Sequence, residues 1–213
     1  KQQFTSTIKL SKGLGGFFFT AKGYVQVYTG NGKGKTTAAI GLTIRALGAG
    51  KKVLFLQFMK AKAYSEHKIL PGISPNLTLE TVGKPFFVVK EGSMPEKELA
   101  KWRKKAVVFP PGQPPREYVE LVGKGLERAK EALTSGEYDL VVLDEINVAL
   151  HFGLTSWEQV KDLIDSKAEQ VELVMTGRYA LPELTEKADL VTEMREVKHY
   201  YEVGVMARPG IEN

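Results

Sequence analysis

The run Gly23-Tyr-Val-Gln-Val-Tyr-Thr-Gly30-Asn31-Gly32-Lys33-Gly34-Lys35-Thr36-Thr37, continued by Ala-Ala-Ile-Gly-Leu-Thr-Ile-Arg-Ala-Leu47, decides the fold. Its first part alternates apolar and polar residues as a strand does. Its last part has the spacing of a helix stopped by Gly48 and Gly50. Between them lies a glycine-rich turn ending in Gly-Lys-Thr, where a phosphate-binding loop belongs. Glycines allow the positive φ angles that aim successive backbone N–H groups inward, and the helix N-terminus adds a partial positive charge. In such a loop Lys35 bridges phosphates and the Thr36 hydroxyl reaches Mg²⁺ (or Mn²⁺). The expected nucleotide contacts are Gly30, Asn31, Gly32, Lys33, Gly34, Lys35, Thr36 and Thr37. The spacing departs from G-x-x-x-x-G-K-[ST] at one place, since Thr29 stands where the first glycine is expected and Gly30 follows. The alternative is a glycine-rich connector with no ligand.

Outward from this loop, Val53 to Met59 is short and nearly all apolar, like a strand buried on both faces, and Leu77 to Val82 is a weaker strand. The stretch 83–115, with Pro110, Pro111, Pro114 and Pro115 at its end, reads as an irregular loop region with at most one helix. A helix is expected from about Pro115 to Ser135, with Tyr118, Val122, Leu126, Ala129 and Leu133 on one face. Tyr138 to Leu143 is another buried strand, ending in Asp144 and Glu145. Thr155-Ser-Trp-Glu158 fits a capping box for a helix to about Lys167. Val171 to Thr176 is a strand, Pro182 opens a short helix, and Leu190 to Met194 is a last strand. Strands alternating with helices imply α/β architecture: a doubly wound, mainly parallel sheet of about six strands with helices on both faces, of the P-loop NTPase, RecA-like kind. Residues 1–22 read as an N-terminal extension and 23–213 as a single P-loop domain.

In this architecture the strand ending in Asp144 delivers its acid to the sheet edge where the loop opens. The expected metal contacts are therefore Thr36, Asp144 and Glu145. Glu145 alternatively polarises a water, and an Asp at a strand end also serves simply to bind loop N–H groups. Arg178, after Met175-Thr-Gly, reaches the same edge, either to clamp phosphate oxygens or to make a surface ion pair. Lys35, Glu145 and Arg178 are the candidate catalytic residues. Asp144→Asn is expected to weaken metal-dependent activity far more than stability.

Composition narrows the classes. The 213 residues are 43% hydrophobic and 26% charged, average for a globular protein, and no apolar run approaches membrane-spanning length. The expectation is a soluble, cytoplasmic protein without a signal peptide. With no cysteine, thiol catalysis and Cys-ligated zinc are excluded, and His67, His151 and His199 are too scattered to suggest a zinc site. The net charge of +5 hides an asymmetry: residues 1–105 carry 19 Lys and Arg against 5 Asp and Glu, and the rest carry 11 against 20. A basic half suits a polyanionic small ligand. Nucleic acid is the less favoured partner, since no basic run with interleaved aromatics is present.

Taken with Leu56-Gln-Phe-Met-Lys60, Val142-Leu-Asp-Glu-Ile-Asn-Val-Ala-Leu150, Thr176-Gly-Arg178, Val197-Lys-His199 and Gly210-Ile-Glu212, the run Gly30-Asn-Gly-Lys-Gly-Lys-Thr-Thr-Ala-Ala39 resembles the ATP:corrinoid adenosyltransferases of the P-loop type. The resemblance spans about Gly23 to Glu212. It implies transfer of the 5′-deoxyadenosyl group of ATP to the cobalt(I) of a reduced corrinoid, with release of triphosphate. It also implies an ATP held in reversed sense, a homodimer, and a reductase such as a flavoprotein. Aromatic residues that close on the corrinoid's lower face correspond here to Phe86 and Phe87, without the Phe-x-Trp pattern of relatives; the alternative for both is ordinary core packing at a strand end. Gly13-Leu-Gly-Gly-Phe-Phe-Phe19 is a further candidate for covering a corrinoid. The rival readings are a P-loop kinase or NTPase acting on a small molecule, and a nucleic-acid-stimulated ATPase module.

Overall fold

The computed structural model describes residues 22–212 except 62, 63, 85, 94, 95, 104 and 105; the side chains of Phe87, Glu98, Lys101 and Trp102 also lie outside the description. The expected 1–22 extension, with its Gly13 to Phe19 segment, falls almost wholly outside it. In chain order the elements are β1 (Val25–Thr29), α1 (Lys35–Gly48), β2 (Val53–Phe58), α2 (Leu70–Ile73), β3 (Leu77–Val82), β4 (Phe87–Lys90), α3 (Glu96–Trp102), β5 (Ala106–Phe109), α4 (Arg116–Thr134), β6 (Leu140–Asp144), α5 (Ile146–His151), α6 (Trp157–Ser166), β7 (Glu172–Thr176), α7 (Pro182–Lys187) and β8 (Leu190–Glu193).

Six strands form one parallel sheet in the order β3-β2-β6-β7-β1-β8, so the loop-bearing strand and the strand ending in Asp144 are separated by β7. Side-chain alternation divides two cores. Val53 and Phe55 of β2, with Leu140 and Val142 of β6, pack against Ala39 and Ala46 of α1 and Leu70 of α2. Leu54, Leu56 and Phe58, with Val141 and Leu143, pack on the other face against α4, α5 and α6. Helices therefore cover both faces, as expected. The α4 stripe is as expected too, with Tyr118, Val122, Leu126, Ala129 and Leu133 all buried. Among the described residues no helix is long and apolar enough to cross a membrane.

Two local readings are corrected. The irregular stretch contains a second, two-stranded parallel sheet, β4 paired with β5 from Phe87↔Ala106 to Lys90↔Phe109, with α3 as the crossover. Each of these strands is a four-residue run without apolar–polar alternation, set among prolines and charged residues, and periodicity alone does not separate such a run from a loop. This small sheet docks on the end of α5, where Lys90 Nζ donates to the His151 carbonyl (2.7 Å) and the Phe109 ring meets Phe152 edge-on. The capping box of α6 sits one residue later than expected: Ser156 Oγ accepts from Gln159 N and the Gln159 side chain accepts from Ser156 N, which leaves Glu158 outside the exchange.

Two glycines of α4 give a paired test of the packing. A Cβ on Gly125 would fall 2.7 Å from the Phe58 ring and 2.9 Å from Val82, whereas one on Gly123 would meet nothing within 4 Å. Gly125→Ala should lower stability by about 1–3 kcal/mol through overpacking. Gly123→Ala should raise it by about 0.5–1 kcal/mol through helix propensity. Urea unfolding of the two variants measures both.

Candidate active site

The C-terminal ends of β1, β6 and β7 and the N-terminus of α1 converge on one edge of the sheet. The late glycine of the loop has a conformational reason. Thr29 is still a strand residue, bonded through its carbonyl to Met194 N (2.8 Å), and positive φ begins at Gly30 (95°) and recurs at Gly34 (117°). Gly32 is required by crowding, since a Cβ there would lie 2.8 Å from the Met194 carbonyl oxygen and from the Arg195 carbonyl carbon. Lys35, first residue of α1, is buried and curls back so that Nζ donates to the carbonyls of Gly30 and Gly32, both at 2.7 Å. Burial, then the charge of Arg178, pushes its pKa down. Asn31, Lys33 and Thr37 are exposed on the loop's open side.

Asp144 is the centre of the site. It is fully buried, and each of its oxygens takes two hydrogen bonds. Oδ1 accepts from Thr36 Oγ1 (2.9 Å) and Thr176 Oγ1 (2.6 Å); Oδ2 accepts from Gln57 Nε2 (3.0 Å) and Lys60 Nζ (2.8 Å). Burial would raise its pKa, but the attraction of Lys60 and these bonds outweigh burial and hold the carboxyl below its ordinary range. Lys60 answers in kind: burial would lower its pKa, and Asp144 raises it overall. Gln57 is fixed in turn by His67. Because its amide nitrogen donates to Asp144, its oxygen accepts from His67 Nε2 (2.5 Å), and His67 Nδ1 accepts from Tyr64 N. Glu145 follows with left-handed backbone (φ 62°), its N–H donating to Thr176 Oγ1 (3.1 Å). Burial and the neighbouring Asp144 charge raise its pKa.

Two adjoining hollows open here. One, of about 290 Å³, is lined by the loop from Asn31 to Thr37 together with Glu145, Arg178 and Glu212. The other, of about 460 Å³, is lined by Thr36, Ile40, Lys60, Tyr64, Glu145 and Ile211. Glu212 closes them from the C-terminal segment, accepting from Lys33 Nζ (2.9 Å), Tyr200 Oη and Arg208 N (2.8 Å). Arg208, then Tyr200, hold its carboxyl far below the ordinary range. A third hollow, of about 350 Å³ between Lys22, Arg45 and Glu172, lies at the N-terminal ends of the strands and holds none of these groups.

The structure thus brings Gly30 to Thr37, Asp144, Glu145 and Arg178 together. Arg178 is exposed and makes no ion pair among the described residues. Phe86 is half-buried against the core, its ring edge-on to Tyr118 (5.6 Å) and its carbonyl accepting from Tyr118 Oη (2.8 Å). The side chain of Phe87 lies outside the description. Gln57, Lys60, Thr176 and Glu212 stand within the motifs that carry the family resemblance, yet no individual role for them was legible in the sequence. A lone amide inside the apolar run of β2 was the available signal for Gln57. Asp144, expected to matter far more to metal-dependent activity than to stability, is half of a buried ion pair, so its removal is expected to cost stability as well.

A glycine-rich loop between a parallel strand and a helix, facing a strand-end aspartate, defines a P-loop protein of the α/β class. Residues 21–213 match the family described as ATP:corrinoid adenosyltransferase BtuR/CobO/CobP, and the chain belongs to that family. Relatives named corrinoid adenosyltransferase are 33% identical over 192 residues in Pseudomonas aeruginosa (90% of this chain, 84% of the relative) and 34% identical over 196 residues in Escherichia coli strain K12 (90% and 86%). A Salmonella typhimurium relative, corrinoid adenosyltransferase CobA, is 31% identical over 200 residues (90% and 86%).

Asp144→Asn leaves the Lys60 ammonium, on a side chain 11% exposed, without its carboxylate. A loss of about 3–5 kcal/mol is expected in urea unfolding without ligand. In the native chain the Asp144 contribution is present above the unfolded pKa near 3.8 and lost as pH falls through the lower folded value. The stability of the variant should therefore change less with acid than that of the parent.

Proposed function

We propose that this chain transfers the 5′-deoxyadenosyl group of ATP to the cobalt(I) of a reduced corrinoid and releases triphosphate. The observation that carries the reading is the Thr36–Asp144 contact, which joins the phosphate loop to a buried, ionised carboxylate within a chain that matches the adenosyltransferase family over residues 21–213. The cobalt(I) lone pair attacks the ribose C5′, the C5′–O bond breaks, and its electron pair leaves with the triphosphate. No proton moves, so no general base or protein nucleophile is required, and the reactivity belongs to the corrinoid.

The protein's part is to bind and aim. The N–H groups of the loop between Gly30 and Thr37, other than that of Gly32, which donates to the Met194 carbonyl, hold the triphosphate chain together with the N-terminus of α1. Lys35 exchanges its two carbonyl partners for phosphate oxygens, and Arg178 supplies a second cation from across the hollow. Thr36 Oγ1 and the carboxylates of Asp144 and Glu145 are hard oxygen donors and fit Mg²⁺ (or Mn²⁺), which would neutralise charge on the leaving group. Phe86 and Phe87 follow β3 at this same edge and are assigned to the corrinoid's lower face, with Phe86 also packing on Tyr118. The cytoplasm, a homodimer and a flavoprotein-type reductase complete the proposal on the family resemblance.

Anaerobic turnover with reduced cobalamin and ATP tests this reading through the visible spectrum. Appearance of the cobalt–carbon bond is expected, and its absence with ATP hydrolysed to ADP would replace the proposal with the NTPase alternative. Lys35→Ala should weaken ATP binding at least tenfold with little change in unfolding temperature, measured by calorimetry and thermal melting. Phe86→Ala should lose turnover when bound cobalt(II) must be reduced in place and keep it when cobalt(I) is supplied. Equal loss in both assays would leave Phe86 a packing residue only.

A further inference from the structure

Lys60 stands in the space that a divalent ion would claim. Its Nζ lies 2.8 Å from Asp144 Oδ2 and 3.3 Å from Thr36 Oγ1, the donors assigned to the metal above. Its backbone is pinned. Met59 before it has left-handed backbone (φ 59°) and donates to the Val82 carbonyl (2.6 Å), while Gly83 lies so close that a Cβ there would fall 2.4 Å from the Lys60 carbonyl oxygen. The ammonium therefore arrives at Asp144 by construction of the turn after β2.

One ammonium already neutralises the single charge of Asp144, so a divalent ion entering alone would meet a cation within a few Å and gain little net attraction. It would also find few ligands, since among the described residues no three His, Asp or Glu gather as a cage. A nucleoside triphosphate changes both terms, because it brings several negative charges and the phosphate oxygens that complete a hard-ion shell. Lys60 also has somewhere to go. The larger hollow holds Glu66 and Glu145, whose charges already attract Lys60, and the Tyr64 ring lies 5.2 Å from Nζ.

We propose that Lys60 is an internal counter-cation of the Thr36–Asp144 pair, a positioning residue that keeps the metal ligands assembled and admits a divalent ion only in company with the nucleotide. The inference rests on the reading that such an ion joins ATP at these residues.

The test is Mn²⁺ binding by the 213-residue chain, read from the electron paramagnetic resonance signal of the free ion, with and without ATP, for the parent, Lys60→Gln and Lys60→Arg. Without nucleotide, Lys60→Gln should bind Mn²⁺ at least tenfold more tightly than the parent, and Lys60→Arg, which keeps the cation, should not. With ATP the difference should shrink. Equal affinities of the parent and Lys60→Gln without nucleotide would overturn the proposal. If Lys60→Gln fails to fold in metal-free buffer, Mn²⁺ alone should restore its near-ultraviolet circular dichroism, and failure to do so also counts against it. If the folded parent takes up no Mn²⁺ beyond that held by ATP itself, the divalent-ion reading falls, and the Lys60 proposal falls with it.

Discussion

A carboxylate with no exposure to water must be compensated by its neighbours or lose its charge, and Asp144 sets this constraint on the whole site. Its four donors come from four separate places: Gln57 in β2, Lys60 in the turn after it, Thr176 at the end of β7 and Thr36 in the first turn of α1. Strand order is part of the arrangement. β6 lies between β2 and β7, so its terminal residue has a donor-bearing strand on either side, and β7 in turn spaces it from the phosphate loop after β1. The sheet, the loop and the acid form one polar network in which each member fixes the position of the next.

The loop itself is held from the opposite flank. Gly30 and Gly32 lie against the backbone of Met194 and Arg195, with Gly32 N bonded to the Met194 carbonyl (2.7 Å). The chain that continues past β8 then returns over the loop and ends its described course at Glu212, on Lys33. The phosphate site is thus enclosed by β8 and the C-terminal segment on one side and by Glu145 and the turn after β2 on the other.

The parts of this molecule that were legible in sequence are those with strong local causes. The loop and α1 declare themselves through glycines with obligatory backbone angles, α4 through a long apolar stripe, and β2 and β6 through runs buried on both faces. The second sheet was not legible, because Phe87–Lys90 and Ala106–Phe109 are short runs without alternation in a proline-rich stretch and owe their pairing to each other across the α3 crossover. Lys60 was hidden for a related reason: nothing local distinguishes a lysine in a turn from a solvated one, and only the parallel pairing of β2 with β6 brings it to Asp144. The same blindness placed the weight of Asp144 on metal-dependent activity far more than on stability. Sequence shows an acid at a strand end but not that the acid is sealed from water.

In the proposed reaction this P-loop presents the carbon end of ATP, rather than a phosphorus atom, to the nucleophile. The most direct measurement uses ATP carrying ¹⁸O at the oxygen that bridges C5′ and the α-phosphorus, turned over anaerobically with reduced cobalamin. All of the label is expected to leave with inorganic triphosphate, because the C5′–O bond is the one broken. Label retained in a nucleoside or nucleotide product, with ADP and phosphate accumulating, would contradict this reaction.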